Sequence, residues 1–585
     1  MSLIDKLNEI VGSAFTACGL SAELGTVRVS DRPDLAQFQC NGAMAAAKQA
    51  KKNPRAVAEE VAAGLSGDPL FSKIEIAGPG FINLNITDEA LAKHLMGIAI
   101  DDRCGVAPLA QGETVVLDYG GPNIAKAMHV GHLRASIIGD TLRRVLSFCG
   151  YKTLGDVHMG DWGTQIGMVI SEMAMRHPEW PYFDPAFTGP YPEQSPFDMA
   201  ELEAVYPAAA KVCKEDESRM EQARQATVEL QNGRPGYRAL WRHIVDVSIV
   251  SMKANFAALN VHFDLWKGEA DVHDLIAPMA DDLKAKGFAV IDDGALVVPV
   301  RNNDDSKEIP PLILYKRDGA VMYGTTDLAT LVERMNLYKP SKIVYVVDQR
   351  QNLHFEQVFR AARLSGIAPA DVELTFAGFG TMNGPDGKPF KTREGGILRL
   401  EDLIAMGRDK ALARLDEAEL AQDATPEERR AIAHMVGVAA IKFADLQNQR
   451  QVDYVFDLDR LTSFEGKTGP YILYQAVRIK SLLRKAGEGA APSSLTLQDG
   501  DRKLALLMIE LPEVLATVVR NYTPHVLCDY MYRLAQEFSS FYGNCHILSE
   551  TDERLKRSRL QICRMALSQL ELTTGLLGID VPERM

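Results

Sequence analysis

The sequence predicts a mixed α/β protein in three parts: a small α+β domain, a large unit built on a parallel sheet, and an all-helical carboxyl-terminal bundle. Three observations carry this expectation. Val115–Leu117 and Ile343–Val347 are unbroken apolar runs, as in parallel strands covered on both faces. Helical patterns follow both runs, the first after a Gly-Pro-Asn turn and the second after polar residues. From about Ile404 onward strand signals disappear and helical periodicity continues to the end.

Size and composition agree with this division. A chain of 585 residues is too long for one core and predicts three to five domains. With 46% apolar and 24% charged residues, most of it is expected to fold. No run approaches eighteen apolar residues, so no membrane partner is expected. The start, MSLIDKLNEIVGSAF, mixes acidic with apolar residues and reads as an amphipathic helix rather than a signal peptide. Eight cysteines without a CxxC pair point to a reducing, cytoplasmic setting and away from structural zinc. The net charge of −14 lends no support to nucleic-acid binding, but a local basic surface decides such contacts, and total charge does not.

In chain order, residues 1–108 read as the small domain. Helical patterns such as AMAAAKQAKKNPRAVAEEVAAGL precede a hairpin around Gly78-Pro79-Gly80. Asp101–Glu113 reads as a linker. The central unit is expected over 112–400, with an insertion over about 170–300 whose Pro- and acid-rich part, His177–Gly236, carries helices. A helical connector is expected over 401–455, with a helix start at Thr425-Pro426-Glu427-Glu428. The bundle takes 456–585 and is interrupted by GEGAAPSSLTLQDGDR. No internal repeat is found.

Chemistry concentrates in a few segments. In VVLDYGGPNIAKAMHVGH a strand feeds a helix, and His129 and His132 flank Gly131 at the helix start. Free backbone N–H groups and the positive end of the helix dipole suit phosphate there, and two imidazoles suit charge developing on its oxygens. The bland alternative is a glycine-assisted turn with two polar histidines. The loop GPDGKPFKTREGG places Lys388, Lys391 and Arg393 between glycines, able to close over a triphosphate or to be a solvated hairpin. Tyr323 and Asp327 lie four apart where Thr325 or Thr326 would cap a helix. A carboxylate backed by a phenol suits a guanidinium, whereas Asp327 otherwise serves only the helix start. Gln351 and His354 follow the Ile343–Val347 strand, and Gln351 is suited to reading an amino or carbonyl group. Trp162 of GDWGTQ is expected in the core or a pocket wall. In PYILYQAVRIKSLLRK, Tyr471, Tyr474 and Arg478 interleave aromatics with cations, suiting an unpaired RNA loop or simply a basic bundle face.

Taken together, GPNIAKAMHVGHLRASIIGD, GDWGTQ, YGTTDLA, VVDQRQNLHFEQ and KPFKTREGG, in this order and over essentially the whole length, resemble the class I aminoacyl-tRNA synthetases, specifically the arginyl-tRNA synthetases of bacterial type. The resemblance implies a Rossmann-type parallel-sheet catalytic domain, an amino-terminal domain touching the tRNA elbow and an anticodon-binding helical bundle. It implies L-arginine, ATP with Mg²⁺ on the triphosphate, and tRNA(Arg) as partners of a cytoplasmic monomer, with no DNA and no protein-held metal. By the same resemblance His129, Gly131, His132, Lys388, Lys391 and Arg393 hold ATP. Asn123 and Gln351 hold the α-amino end of arginine, and Tyr323, Asp327 and Glu269 its guanidinium. Related enzymes activate the amino acid only with tRNA bound.

Three departures stand out. Phe390-Lys391-Thr392-Arg393 replaces the usual KMSKS loop, which makes Lys126 the substitute catalytic lysine. Gly121 stands where the family usually has serine, and Ala270 ends the usual Gly-Glu-Ser segment. Two rivals are a shorter-type HxGH nucleotidyltransferase, disfavoured by chain length, and a non-catalytic tRNA-binding paralogue, disfavoured by the retained histidines and cations.

Overall fold

The computed structural model describes residues 2–32, 34–317, 319–384, 386–388, 398–487 and 491–585. The amino-terminal domain begins with the expected amphipathic helix, α1 (Leu3–Ala17), closed by a Ser2/Asp5 capping box. Strands β1 (Val27–Val29) and β2 (Phe38–Cys40) lead into α2 (Gly42–Ala50) and α3 (Pro54–Leu65). The helical reading of AMAAAKQAKKNPRAVAEEVAAGL is thereby split, because Lys51 turns left-handed and Pro54 must begin a new helix. The predicted hairpin forms from β3 (Phe71–Ala77) and β4 (Phe81–Ile86), which pair antiparallel before α4 (Asp88–Ala99). The sheet runs β1-β2-β4-β3. Asp101–Glu113 is a packed strap as well as a linker: Cys104, Val106 and Ala110 are buried, and the amides of Leu109 and Ala110 donate to the Cys149 carbonyl.

The central domain opens with β5 (Thr114–Tyr119), α5 (Leu133–Phe148) and β6 (Lys152–Asp156). Its insertion carries α6 (Thr164–Arg176), α7 (Met199–Glu215), α8 (Glu217–Gln231), α9 (Pro235–Ala258) and α10 (His273–Ala285). A small antiparallel sheet of β7 (Val290–Asp292), β8 (Ala295–Val298) and β9 (Leu312–Tyr315) comes next. Then follow α11 (Tyr323–Tyr338), β10 (Lys342–Val346), α12 (Asn352–Leu364) and β11 (Glu373–Phe376). The main sheet runs β11-β10-β5-β6, all parallel. Its residues alternate between two cores: Val115, Leu117, Val344 and Val346 join one, while Val116, Ile343 and Tyr345 join the other. Burial on both faces explains the unbroken apolar runs. α5 closes the first face so tightly that a Cβ at Gly139 would lie 2.2 Å from the Tyr119 ring.

Chain order reverses between β5 and β10, since β6 follows β5 on one side and β11 follows β10 on the other. A crevice at the carboxyl ends of such strands is the ligand position of open parallel sheets.

Among the described residues, the regular structure of the remainder is helical with one exception. The two-residue strands β12 (Met382–Asn383) and β13 (Tyr454–Val455) pair in parallel, correcting the expectation that strands end near Ile404. A strand this short carries too little alternation to be read from sequence. Between them lie α13 (Leu400–Glu417) and α14 (Pro426–Leu446), the latter starting where expected, with a Thr425/Glu428 capping box. After α15 (Leu458–Leu461) come α16 (Gly469–Ala486), α17 (Asp499–Met508), α18 (Leu511–Asn521), α19 (Pro524–Asn544) and α20 (Glu553–Leu576). Among the described residues no helix is long and apolar enough to cross a membrane.

Candidate functional site

Beyond the ends of β5 and β10 lies a cleft of about 570 Å³ lined by Asn123, Gly131, His132, Tyr323, Asp327 and Gln351, together with Asp118, His158, Gln165 and His354. The first six are predicted from the sequence, and they come from four separate turns and helix starts around the reversal point.

The histidine segment is held by its own backbone. His129 is extended, and its Nδ1 accepts the Gly131 N–H at 3.0 Å, while His132 Nδ1 accepts the His129 N–H at 3.1 Å. With both Nδ1 atoms acting as acceptors, both rings carry their proton on Nε2 and offer it outward. The rings lie 4.0 Å apart, centre to centre. A side chain at residue 131 would collide with His129, its Cβ 2.7 Å from the imidazole, so this position requires glycine. Burial, with His129 beside it, pushes the His132 imidazole down to about 3, and burial next to Lys126 lowers His129 as well. Both are therefore neutral hydrogen-bond donors at pH 7.

Lys126 does not enter the cleft lining; its ammonium sits 4.4 Å above the ring of Tyr206 on α7. The same insertion helix sends Glu203 to Arg399 at 2.6 Å. Of the loop cations, Lys388 is exposed, and its carbonyl closes a turn by accepting the Gly384 N–H at 2.7 Å. Lys391 and Arg393 lie outside the described residues.

Asn123 is seated by the GDWGTQ turn: Gly160 N–H donates to the Pro122 carbonyl and its own carbonyl accepts from Ile124 N–H. A Cβ at Gly160 would lie 2.1 Å from Asn123 Oδ1. Trp162 is buried, as expected of a wall residue, and Gly121, in place of serine, has φ +46°.

The helix at Tyr323 begins two residues before the expected cap. α11 starts at Tyr323 behind Met322, and Thr325 is not a cap but donates its hydroxyl to the Leu314 carbonyl at 2.6 Å. Tyr323 and Asp327 thus fall one helical turn apart, on one face. Tyr323 is exposed, whereas Glu269 is set back from the lining, one carboxylate oxygen 3.4 Å from Trp162 N. Burial raises Glu269, partially offset by His158, with the Asp327 charge adding to the rise. Asp161 braces this segment, accepting from Ala270 N–H at 3.0 Å, and burial pushes its carboxyl up to about 7.

Beneath the cleft, Arg334 is 1% exposed and bridges Asp118 at 2.6 Å and Asp156 at 2.7 Å. Burial pushes the Asp118 carboxyl up despite the guanidinium beside it. Asp118, Asp156 and His158 are close enough to share a metal ion, but Arg334 already supplies the cation for the two carboxylates. Sequence reading does not reveal this network, nor the pairing of His354 with Asp327, whose Oδ2 lies 2.5 Å from His354 Nε2. Its only sequence signal was polar residues recurring at strand ends.

In the bundle, Tyr471 packs edge-on to Tyr532 at 5.8 Å, Tyr474 lies near Phe464 at 6.3 Å and Arg478 covers Tyr542 at 4.2 Å. All three are half-buried, with one side turned to neighbours inside the bundle.

Comparison with known proteins gives one consistent picture. Residues 95–458 match a family model described as tRNA synthetases class I (R), catalytic domain; residues 472–585 match the DALR anticodon binding domain; residues 2–86 match the arginyl tRNA synthetase N terminal domain. The chain is similar to the arginine–tRNA ligase of Alkaliphilus oremlandii, 48% identical over the full length of both. It is 49% identical to that of Maricaulis maris, again with both chains fully covered. Its fold is similar to the Plasmodium falciparum arginyl-tRNA synthetase crystal structure, with a TM-score of 0.83, 25% identity and 100% and 99% of the two chains covered. The Thermus thermophilus arginyl-tRNA synthetase structure has the same fold, with a TM-score of 0.82 at 23% identity and both chains fully covered.

Proposed function

This chain belongs to the class I arginyl-tRNA synthetases, and from that premise we propose how its cleft carries out the family's reaction. The enzyme activates L-arginine with ATP to arginyl-adenylate and transfers the arginyl group to the 3′ end of tRNA(Arg), releasing pyrophosphate and then AMP. Its fold is the expected one: a parallel-sheet catalytic domain between an amino-terminal domain and a helical anticodon-binding domain.

No enzyme nucleophile is required. The arginine carboxylate attacks the α-phosphorus, the bond to the bridging oxygen breaks, and pyrophosphate leaves. A ribose hydroxyl of the terminal tRNA nucleotide then attacks the activated carbonyl and AMP leaves. Catalysis is positioning and charge stabilisation. We assign His129 and His132 to ATP through their Nε2 protons, with Gly131 allowing close approach. Lys126, held over Tyr206 beside His129, is assigned as the lysine that replaces the loop's missing one. Lys388, Lys391 and Arg393 are assigned to the pyrophosphate side, and Mg²⁺ enters with the ATP. Asn123 and Gln351 take the α-amino end of arginine, Tyr323 and Asp327 its guanidinium, and Glu269 adds negative charge from behind.

The observation that supports this assignment best is that His132 and Asp327 line one cleft. We further assign residues 1–108 to the tRNA elbow, 112–400 to catalysis, 401–455 to a connector and 456–585 to the anticodon, with Tyr471, Tyr474 and Arg478 near the RNA, in a monomeric cytoplasmic enzyme. The test is a filter assay with labelled arginine and total tRNA. Charging supports the reading; binding without charging indicates a paralogue, and neither indicates a different nucleotidyltransferase. Arginine-dependent pyrophosphate exchange is expected only when tRNA is present.

A further inference from the structure

A carboxylate that receives a guanidinium must present its plane as well as its charge, because the planar fork donates two parallel hydrogen bonds. The torsion that sets this plane in aspartate is soft and broad, so a lone Asp327 on the first turns of α11 would spread over many orientations. The structure supplies a restraint from a different helix. His354, three residues beyond Gln351 on α12, reaches across the cleft and places Nε2 2.5 Å from Asp327 Oδ2. Oδ1 receives no hydrogen bond from any described residue, which leaves it for a ligand.

Two further features separate this contact from an ordinary ion pair. Both side chains line the cleft, with the imidazole 30% and the carboxylate 20% exposed, so the pair faces the ligand space directly. His354 is also backed edge-on by Phe355, with ring centres 5.1 Å apart at 84°, which limits its rotation.

We propose that His354 is a positioning residue for arginine recognition, its Nε2–H fixing the plane of the Asp327 carboxylate so that the guanidinium meets a preoriented acceptor. This rests on the assignment of Asp327 to the guanidinium. The selectivity follows: a point-like ammonium gains little from a fixed plane, whereas a fork gains both bonds.

The experiment is steady-state charging of tRNA by wild type, His354→Ala and His354→Gln, with arginine and ATP varied in turn. His354→Ala is expected to raise the arginine KM roughly ten-fold, the usual cost of losing one hydrogen bond to a charged group. The ATP KM should stay within about two-fold, and kcat should fall less than the arginine KM rises. Glutamine, whose amide N–H can reach the same oxygen, should recover most of the loss. In an Asp327→Asn background His354→Ala should add little. An arginine KM equal to that of wild type, a parallel rise in the ATP KM, or failure of glutamine to rescue would overturn the role. If His354→Ala does not fold, His354→Phe, which keeps a ring and removes the donor, takes its place in both comparisons, with the same expected and overturning results. A wild-type enzyme that does not charge tRNA with arginine removes the synthetase assignment itself, which is a different outcome.

Discussion

The Val130 amide donates to the Leu398 carbonyl at 3.1 Å, within the histidine segment on one side and immediately after the cationic loop on the other. Leu400 N–H returns the contact to the Met128 carbonyl at 2.9 Å. The start of α13 is therefore anchored to the backbone that carries His129 and His132. Leu398, Leu400 and the two imidazoles are thus built on one support.

His132→Ala is expected to slow arginyl-adenylate formation by about 10²–10³-fold, the loss typical of one donor to developing charge. Arginine KM should change little, because the interaction strengthens in the transition state. With His132 held down to about 3, its ionisation adds no acid limb to the wild-type profile between pH 5 and 8. Tested by tRNA-dependent pyrophosphate exchange, a large rise in arginine KM at unchanged kcat would count against the assignment.

Asp327→Ala is expected to cost about 2–3 kcal/mol in arginine recognition, seen as a higher arginine KM, from the loss of a charged acceptor. An unchanged arginine KM removes Asp327 from the pocket.

Lys126→Met is expected to lower the activation rate more than it raises arginine KM, since the ammonium lies beside His129 and not in the arginine end of the cleft. Normal pyrophosphate exchange in this variant would show that another cation replaces the loop lysine.

Gly160→Ala forces a Cβ to within 2.1 Å of Asn123 Oδ1. Overpacking of this kind costs about 1–3 kcal/mol, and here it displaces the side chain assigned to the α-amino group. Arginine KM is expected to rise while ATP KM holds; equal changes in both would point to a general disturbance of the fold.

Asp161 provides a pH test. Its folded carboxyl is raised to about 7 from 3.8, so the stability linked to it is complete below about pH 4 and is lost as pH rises through 7. Asp161→Asn keeps an acceptor for Ala270 N–H and removes the charge. Urea unfolding of the variant should lose less stability between pH 4 and 7 than wild type does; parallel curves would exclude Asp161 as the source.

Much of the architecture was written in local pattern. The two-faced apolar strands, the Thr425 capping box and the Gly78-Gly80 hairpin are decided by neighbours in sequence, and the structure has each of them. The Tyr323 helix start was misplaced because Thr325 uses its hydroxyl on Leu314, a contact with a different element that no local rule reveals. The strand at Tyr454 was invisible for the same reason, since its partner Met382 lies on the far side of two helices in the chain.

The sequence by itself determined the family, the sheet and several of the residues that meet at its carboxyl edge, because these are written in local periodicity and in motifs. Only the tertiary structure decided how those residues are held. Arg334 bridges carboxylates 216 and 178 residues away, α7 brings Tyr206 under Lys126, and His354 crosses from α12 to Asp327 on α11. Desolvation and hydrogen-bond direction set the charge and orientation of each group, and both exist only once distant segments have packed together.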